Sequence, residues 1–244
     1  MIDVCFTPTP NGHKVSIMLE ETGLPHRLIA YDMLAGDHLK PDFRAINPNG
    51  RLPAILDHDP IGGGAPLPVF ESGAILLYLS EKAGGAFMPA DPRRRAQAQQ
   101  WLMWQMAGFG PMQGQAHHFV RYAPEGQDYP VTRYMNETRR LLAVLDRRLA
   151  EAEYLAEDYS VADIATWPWA RAIRAIGLDM ADWPNITRWF DAIAARPALQ
   201  RGVEVKNAAN LGSARPVLTP EQWSNLFGDN MLASSGVPRK GMTG

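Results

Sequence analysis

The chain contains little cysteine: Cys5 is the one thiol among 244 residues. A single thiol excludes an intramolecular disulfide and a zinc site of the Cys-x-x-Cys type. Long apolar runs are also missing, since no stretch reaches the ~20 apolar residues that a membrane helix needs. The N-terminus lacks the basic region and the apolar run of a signal peptide. We therefore expect a cytoplasmic protein that holds no metal and does not enter a membrane.

An excess of charge of either sign is absent as well. The formal net charge is −2 at pH 7, so no basic surplus points to a nucleic acid as partner. Hydrophobic residues make up 46 % of the chain and charged residues 20 %, a balance typical of a globular protein with a packed core. A chain of this length has room for one large domain or two modest ones.

Residues 1–84 alternate between strand and helix patterns. A strand, a helix closed by Gly23 and Pro25, and a second strand predict a parallel pair joined by a right-handed crossover. A hairpin and a last helix follow. We expect an α/β, thioredoxin-like N-terminal domain with a mixed four-stranded sheet. The predicted strands are residues 2–6, 26–31, 54–57 and 67–70, and the predicted helices are residues 12–22 and 72–83.

The second half of the chain changes to helical patterns throughout. Residues 85–92, rich in Gly and Pro, predict a linker, and residues 93–205 predict an all-α C-terminal domain. The glycines and proline at 108–111 should bend one of its helices. Ser160 and Asp163 form a capping-box pattern before an apolar helix, and we assign both residues a structural role.

Residues 206–244 exceed what these two domains need, and they predict a C-terminal extension with a short helix. Thr219 and Gln222 make a second capping-box pattern, with Pro220 at the first helical position. The sequence leaves open whether this helix covers the functional site or a subunit contact.

One stretch, Asn47 to Ser72, carries the strongest functional signal. Pro53 stands at the first position of a strand, where a cis bond is tolerated. A cis bond there would turn the backbone of Leu52 outward, free to pair with an extended ligand. Ser72 is the expected N-cap of the next helix and suits an anion, while Glu71 suits a cation. Together they fit the α-amino acid end of a small peptide.

This combination, Arg51-Leu52-Pro53 followed by Glu71-Ser72, resembles the glutathione-binding half of the glutathione transferase family. The resemblance extends through both predicted domains. Within the family, the chain is similar to the bacterial nu-class transferases, which are close to the fungal nitrogen-regulator-like transferases. The similar segments are residues 9–14, 47–55, 70–79, 110–112, 117–119 and 167–169. The resemblance to this branch implies a homodimer and a glutathione-dependent disulfide-bond reductase with weak conjugating activity.

The resemblance also implies where the glutathione sulfur lies, beside the loop after the first strand. Family members offer Tyr, Ser or Cys there, whereas this loop offers Thr9 and Asn11 before a helix that we expect to start near Gly12. Thr9 can donate its hydroxyl hydrogen and Asn11 its amide hydrogen to a thiolate, and the helix dipole adds positive potential. The alternative is that Thr9 is a turn residue and that Asn11 is only the N-cap.

The remaining glutathione contacts are carried over by position. Leu52 would pair through its backbone with the cysteinyl part, and Glu71 and Ser72 would hold the γ-glutamyl end. His38 and Lys40 lie in a loop where the family often contacts the glycyl carboxylate. Arg133 is a candidate for the carboxylates of a second glutathione, from a partner subunit. The implied glutathione-binding set is Asn11, His38, Lys40, Arg51, Leu52, Pro53, Glu71, Ser72 and Arg133.

The mechanism implied by the resemblance uses no protein cysteine. Two glutathiones, or glutathione disulfide, would occupy the site, and a thiolate held by Thr9 would attack a small-molecule disulfide. Cys5 alternates with Val4 and Phe6 inside a strand and is expected to be a buried, inert thiol. Two alternatives stay open: conjugation of glutathione to an electrophile, and a glutathione-binding regulator without catalysis.

His117 and His118 are expected on the helical wall where the second substrate enters. Neighbouring residues on a helix point in different directions, so at most one of them faces the cleft. Nothing else in the pattern supplies a third ligand, so we do not expect a metal there.

Overall fold

The computed structural model describes residues 1–204 and 215–236. Four strands, β1 (Ile2–Phe6), β2 (His26–Ala30), β3 (Ala54–Asp57) and β4 (Leu67–Phe70), form one sheet in the order β2-β1-β3-β4. The first strand pairs parallel with β2 and antiparallel with β3, and β3 pairs antiparallel with β4. The predicted thioredoxin-like mixed sheet is therefore confirmed.

Three helices belong to the sheet domain: α1 (Pro10–Thr22), α2 (Pro41–Ile46) and α3 (Ser72–Lys82). Gly23 ends α1 in the left-handed conformation, with φ of 66°, and its N–H donates to the Leu19 carbonyl, as the Gly-x-Pro signal predicts. The predicted N-terminus of α1 is wrong by two residues. Thr9, not Asn11, is the N-cap, because Pro10 occupies the first helical position, where its missing N–H costs nothing.

The helical domain confirms the predicted all-α C-terminal half. Its helices are α4 (Pro92–Trp104), α5 (Gly110–Arg121), α6 (Asp128–Glu151), α7 (Val161–Ala172), α8 (Pro184–Ala194) and α9 (Pro197–Val203). A π-helical turn, Gln105–Phe109, joins α4 to α5 at the predicted bend. Such turns interrupt the regular helical ladder and often lie at functional sites. The capping box of Ser160 and Asp163 is present at the start of α7.

Two short helices follow in the extension, α10 (Pro220–Phe227) and α11 (Asp229–Ser234). The capping box of Thr219 and Gln222 is formed, with Pro220 at the first helical position. Residues 205–214 and 237–244 of the predicted extension lie outside the described residues. The boundaries between the linker, the domains and the extension stay predictions. In the described part of the chain, no helix has the length and apolar character to cross a membrane.

Candidate functional site

A cleft of ≈ 520 Å³ opens between the sheet domain and the helical domain. The loop after β1, the segment before β3 and the start of α3 line one side. Helices α5 and α7 line the other side. Of the residues predicted at the site, the cleft is lined by Thr9, Asn11, Arg51, Leu52, Pro53, Glu71 and Ser72.

Thr9 caps α1 at the floor of the cleft. Its Oγ1 accepts a hydrogen bond from the Gly12 N–H at 3.2 Å, so its own hydroxyl hydrogen can point to a ligand. Gly12 makes this turn possible, because a Cβ at this position would lie 2.1 Å from the Thr7 carbonyl oxygen. The first turn of α1 can therefore lie against the end of β1 and present its positive dipole end to the cleft.

Asn11 lies two residues further along, in the first turn of α1, and the helical domain holds its side chain. The indole Nε1 of Trp169, on α7, donates a hydrogen bond to Asn11 Oδ1 at 2.9 Å. An indole nitrogen can only donate, so this contact fixes which end of the amide is oxygen. The Asn11 NH₂ group is thereby left as a donor for a ligand in the cleft. In the sequence, residues 167–169 contributed only to the family resemblance, and Trp169 was not predicted at the site.

Glu71 and Ser72 form the second polar end of the cleft, at the N-terminus of α3. The prediction that Ser72 caps this helix is wrong. Glu71 is the N-cap residue, with φ of 70°, and its carbonyl accepts the Ile75 N–H at 2.9 Å. A non-glycine residue with such a φ is strained, and this strain occurs often at ligand-binding sites. Ser72 is therefore the first helical residue, beside the free N–H groups of α3.

Leu52 offers backbone groups between these two ends. The Leu52-Pro53 peptide bond is cis. Within residues 1–204 and 215–236, no group hydrogen-bonds to the backbone of Leu52. The neighbouring turn is held by Asn47, whose Nδ2 donates to the Arg51 carbonyl at 2.6 Å. The cleft thus presents a residue with unpaired backbone groups to a ligand.

Three of the predicted residues do not line this cleft. His38 is buried, 1 % exposed, and faces Asn225 of α10; its pKa is lowered, mainly by burial. Lys40 is exposed and pairs with Asp37, with Nζ 2.6 Å from Oδ1. Arg133 is exposed on α6 and pairs with Glu137 at 3.6 Å.

Lys14 is a site residue that our sequence reasoning missed. It is 1 % exposed, and its Nζ donates to Ser72 Oγ at 3.4 Å and to Gln105 Oε1 at 2.6 Å. Burial lowers its pKa to about 7, against the opposing attraction of Glu71. A signal was available, because Lys14 lies three and four residues before Ile17 and Met18, on the buried face of α1.

Cys5 is buried, as expected, and it does not line the cleft. Its side chain is 1 % exposed and packs in a small apolar cluster with Phe43, Leu52 and Ala54. Burial raises the pKa of its thiol, which opposes formation of a nucleophilic thiolate.

Only one of the two neighbouring histidines faces the cleft, as predicted. His117 lines the cleft, and burial lowers its pKa to about 4, so it is neutral at physiological pH. The His118 ring instead packs on Phe227 of α10, with ring centroids 4.6 Å apart.

Helices α10 and α11 connect the two walls of the cleft. Leu226 and Phe227 line the cleft. On the sheet-domain side, Asn225 Nδ2 donates to the Leu34 carbonyl at 2.8 Å, and Arg51 contacts the Met231 sulfur at 3.2 Å. The extension therefore covers part of the cleft.

Comparison with known families and structures agrees with this architecture. The model of the glutathione S-transferase N-terminal domain matches residues 9–82, and the model of the C-terminal domain matches residues 111–197. The disulfide-bond oxidoreductase YfcG of Escherichia coli is 50 % identical over 199 residues, which cover 81 % of this chain and 92 % of YfcG.

Two solved structures are similar throughout both domains. A Pseudomonas putida glutathione transferase with one glutathione disulfide bound per subunit has a TM-score of 0.79 and 43 % identity, covering 84 % of this chain and 92 % of that one. A Burkholderia graminis glutathione transferase with two glutathione molecules bound per subunit has a TM-score of 0.78 and 44 % identity, covering 85 % and 89 %. The chain belongs to the glutathione S-transferase family.

Proposed function

We propose that this protein is an enzyme that reduces small disulfides with glutathione, through a bound glutathione thiolate and without a protein cysteine. One observation carries the proposal: Thr9 and Asn11 present donors at the N-terminus of α1, while the sole cysteine is buried elsewhere. The similarity to a disulfide-bond oxidoreductase, and to structures that hold glutathione or its disulfide, supports the same activity.

In the proposed binding mode, Ser72 and the first N–H groups of α3 hold the γ-glutamyl carboxylate, and Glu71 holds its ammonium. The Leu52 backbone pairs with the cysteinyl residue. Arg51 lines the cleft and is better placed for the glycyl carboxylate than His38 or Lys40, which do not line it. The sulfur then lies at the N-terminus of α1, within reach of Thr9 and Asn11.

The proposed chemistry is two thiol–disulfide exchanges. The bound thiol loses its proton to solvent, and the Thr9 hydroxyl donates to the thiolate. The thiolate attacks one substrate sulfur: a new S–S bond forms, the old one breaks, and the leaving thiolate takes up a proton. A second glutathione thiolate attacks the glutathione sulfur of the mixed disulfide, which releases the second product thiol and glutathione disulfide. The two glutathiones supply both electrons.

Further proposals concern the assembly and its setting. Arg133 is exposed and does not line its own cleft, so we place it at the cleft of a partner subunit in a homodimer. Assignment to the nu class and a cytoplasmic location rest on the sequence resemblance and on the single, buried cysteine.

The deciding experiment measures turnover of a small disulfide with glutathione, coupled to glutathione reductase, beside conjugation of glutathione to an aryl halide. We expect fast disulfide reduction and feeble conjugation. The reverse result would make the protein a conjugating transferase. No turnover in either assay, in a protein that still binds glutathione, would favour a glutathione-binding regulator without catalysis.

Replacing Cys5 by Ala should leave disulfide turnover nearly unchanged, because the thiol is buried and does not line the cleft. We expect only a modest loss of stability, about 1 kcal/mol, from the small cavity. Steady-state turnover and urea unfolding measured on the same preparation check both statements. Loss of turnover in a variant that remains folded would restore a cysteine mechanism.

A further inference from the structure

The buried ammonium of Lys14 takes no part in the thiol–disulfide exchange proposed above. It reaches three polarizable or polar atoms: Ser72 Oγ at 3.4 Å, Gln105 Oε1 at 2.6 Å and Met106 Sδ at 3.3 Å. None of these partners carries a charge. The Lys14 side chain is 1 % exposed, so water does not replace the missing counter-charge.

Burying an ammonium without a paired carboxylate is costly. Among residues 1–204 and 215–236, no Asp or Glu forms an ion pair with Lys14. Glu71 attracts it from a greater distance. An unpaired buried charge suits a place where a charge of opposite sign arrives with a ligand.

The atom that links Lys14 to the cleft is Ser72 Oγ. This oxygen accepts from Lys14 Nζ, and its own hydrogen makes a long contact to Met106 Sδ at 3.7 Å. Because a hydroxyl rotates and a thioether sulfur is a weak acceptor, this hydrogen can turn to a stronger acceptor in the cleft, which Ser72 lines. Lys14 therefore orients the hydroxyl that meets the ligand, and its positive charge adds to that of the N-terminus of α3. Gln105, in the π-helical turn, holds the ammonium in place from the helical domain.

We propose that Lys14 is a positioning residue for the γ-glutamyl carboxylate of glutathione: it orients the Ser72 hydroxyl and supplies the buried positive charge that the carboxylate meets. This inference rests on the glutathione site of the proposed function. It does not depend on the disulfide chemistry, because the γ-glutamyl carboxylate takes no part in the reaction of the sulfur.

Binding of the carboxylate should change the protonation of Lys14. In the free protein, burial holds the pKa of Lys14 at about 7, so at pH 7.5 much of it is neutral. An arriving carboxylate favours the charged form and raises this pKa, so binding takes up protons at that pH. Glu71 is the charged group that faces Lys14 from α3, and Ser72, Gln105 and Met106 are uncharged. His13, next to Lys14 on α1, has its pKa lowered to about 4 and adds no charge.

The test is calorimetric titration with S-methylglutathione, which has no thiol to titrate. Binding heats in phosphate and in Tris at pH 7.5 give the number of protons taken up. We expect uptake by the parent protein at pH 7.5 and none from Lys14 at pH 5.5, where it is already charged. Lys14→Met should bind roughly 30-fold more weakly and take up fewer protons per bound ligand than the parent. The ligand ammonium beside Glu71 contributes equally in both proteins, so the difference belongs to Lys14.

Two comparisons separate this role from a structural one. Arg139→Met removes one exposed positive charge of α6 and should bind like the parent. The γ-aminobutyryl analogue of the ligand keeps the ammonium but lacks the carboxylate, and it should bind parent and Lys14→Met equally. Equal proton uptake by parent and Lys14→Met, or an equal loss of affinity for both ligands, would overturn the proposal. Failure of the disulfide assay alone would leave these binding results untouched.

Discussion

Replacing Thr9 by Ala is expected to lower the turnover of a small disulfide roughly 30- to 150-fold. The Thr9 hydroxyl is the proposed donor to the glutathione thiolate, and a hydrogen bond to a charged group contributes about 2–3 kcal/mol. At ~1.4 kcal/mol for each factor of ten, that loss corresponds to the stated decrease in rate.

The same side chain caps α1, so stability must be measured beside turnover. Loss of a Thr cap costs about 1 kcal/mol of folding free energy, and urea unfolding of Thr9→Ala should show a loss of that size. Thr9→Ser is the matched control, because it keeps both the acceptor for the Gly12 N–H and the hydroxyl hydrogen. It should retain most of the stability and most of the turnover.

A titration separates thiolate stabilisation from a general disturbance of the site. The ultraviolet absorbance of bound thiolate, followed against pH, should give a higher thiol pKa in Thr9→Ala than in the parent. Turnover of this variant should therefore recover partly as the pH rises. An unchanged thiol titration together with unchanged turnover would remove Thr9 from the mechanism and leave Asn11 as the candidate donor.

Much of the fold follows from local signals in the sequence. Gly23 ends α1 where glycine adopts φ near 66° without strain, and the apolar residues at 2–6 predict the strand β1. The parallel pairing of β1 and β2 follows from the single helix between them. The bend before α5 follows from its glycines and proline, although the sequence does not reveal that it is a π-helical turn.

The two helix starts at the cleft were less predictable. Asn11 and Ser72 are both favoured N-caps on local statistics. The proline at position 10 decides the first case in favour of Thr9, and this signal was present in the sequence. The second case depends on Glu71, whose positive φ is imposed by the surrounding structure. No local preference of Glu predicts that conformation.

Contacts between distant segments account for the remaining differences. Lysine is usually exposed, and the groups that contact the Lys14 ammonium lie far along the chain, at the start of α3 and in the π-helical turn. In the same way, the sequence predicts a short helix at 220–227 but not its partners. Asn225 meets Leu34, and Phe227 meets His118, across more than a hundred residues of chain. These contacts carry the helix to the entrance of the cleft.

Replacing Asp163 by Ala is expected to lower the free energy of unfolding by about 3–5 kcal/mol, because several buried donors lose their acceptor at about 1–3 kcal/mol each. The carboxylate is fully buried. One oxygen accepts from the Leu155 N–H at 3.0 Å and the Trp189 indole at 2.8 Å. The other accepts from the Ser160 N–H at 3.0 Å and hydroxyl at 3.1 Å. Asp163 thus ties the start of α7 to α8 and to the loop before it.

The size of the effect follows from what remains after the substitution. Burial raises the pKa of Asp163 to about 6, so at neutral pH the group is a carboxylate that depends on these donors. Removing it leaves the donors buried without an acceptor, each at a cost of its own, and leaves a cavity among Trp189 and its neighbours. Since the site lies in the helical domain away from the cleft, the folded fraction of the variant should still bind S-methylglutathione.

Ser160→Ala is the matched control for this prediction. It removes the hydroxyl of the same capping box but keeps the Asp163 carboxylate with its other donors, so a loss of about 1 kcal/mol is expected. Urea unfolding of both variants at pH 7 measures the two losses on one scale. A loss in Asp163→Ala no larger than that in Ser160→Ala would mean that water enters and satisfies the exposed donors. In that case the anchoring of α7 would come from its apolar packing, with the capping box contributing only the local helix start.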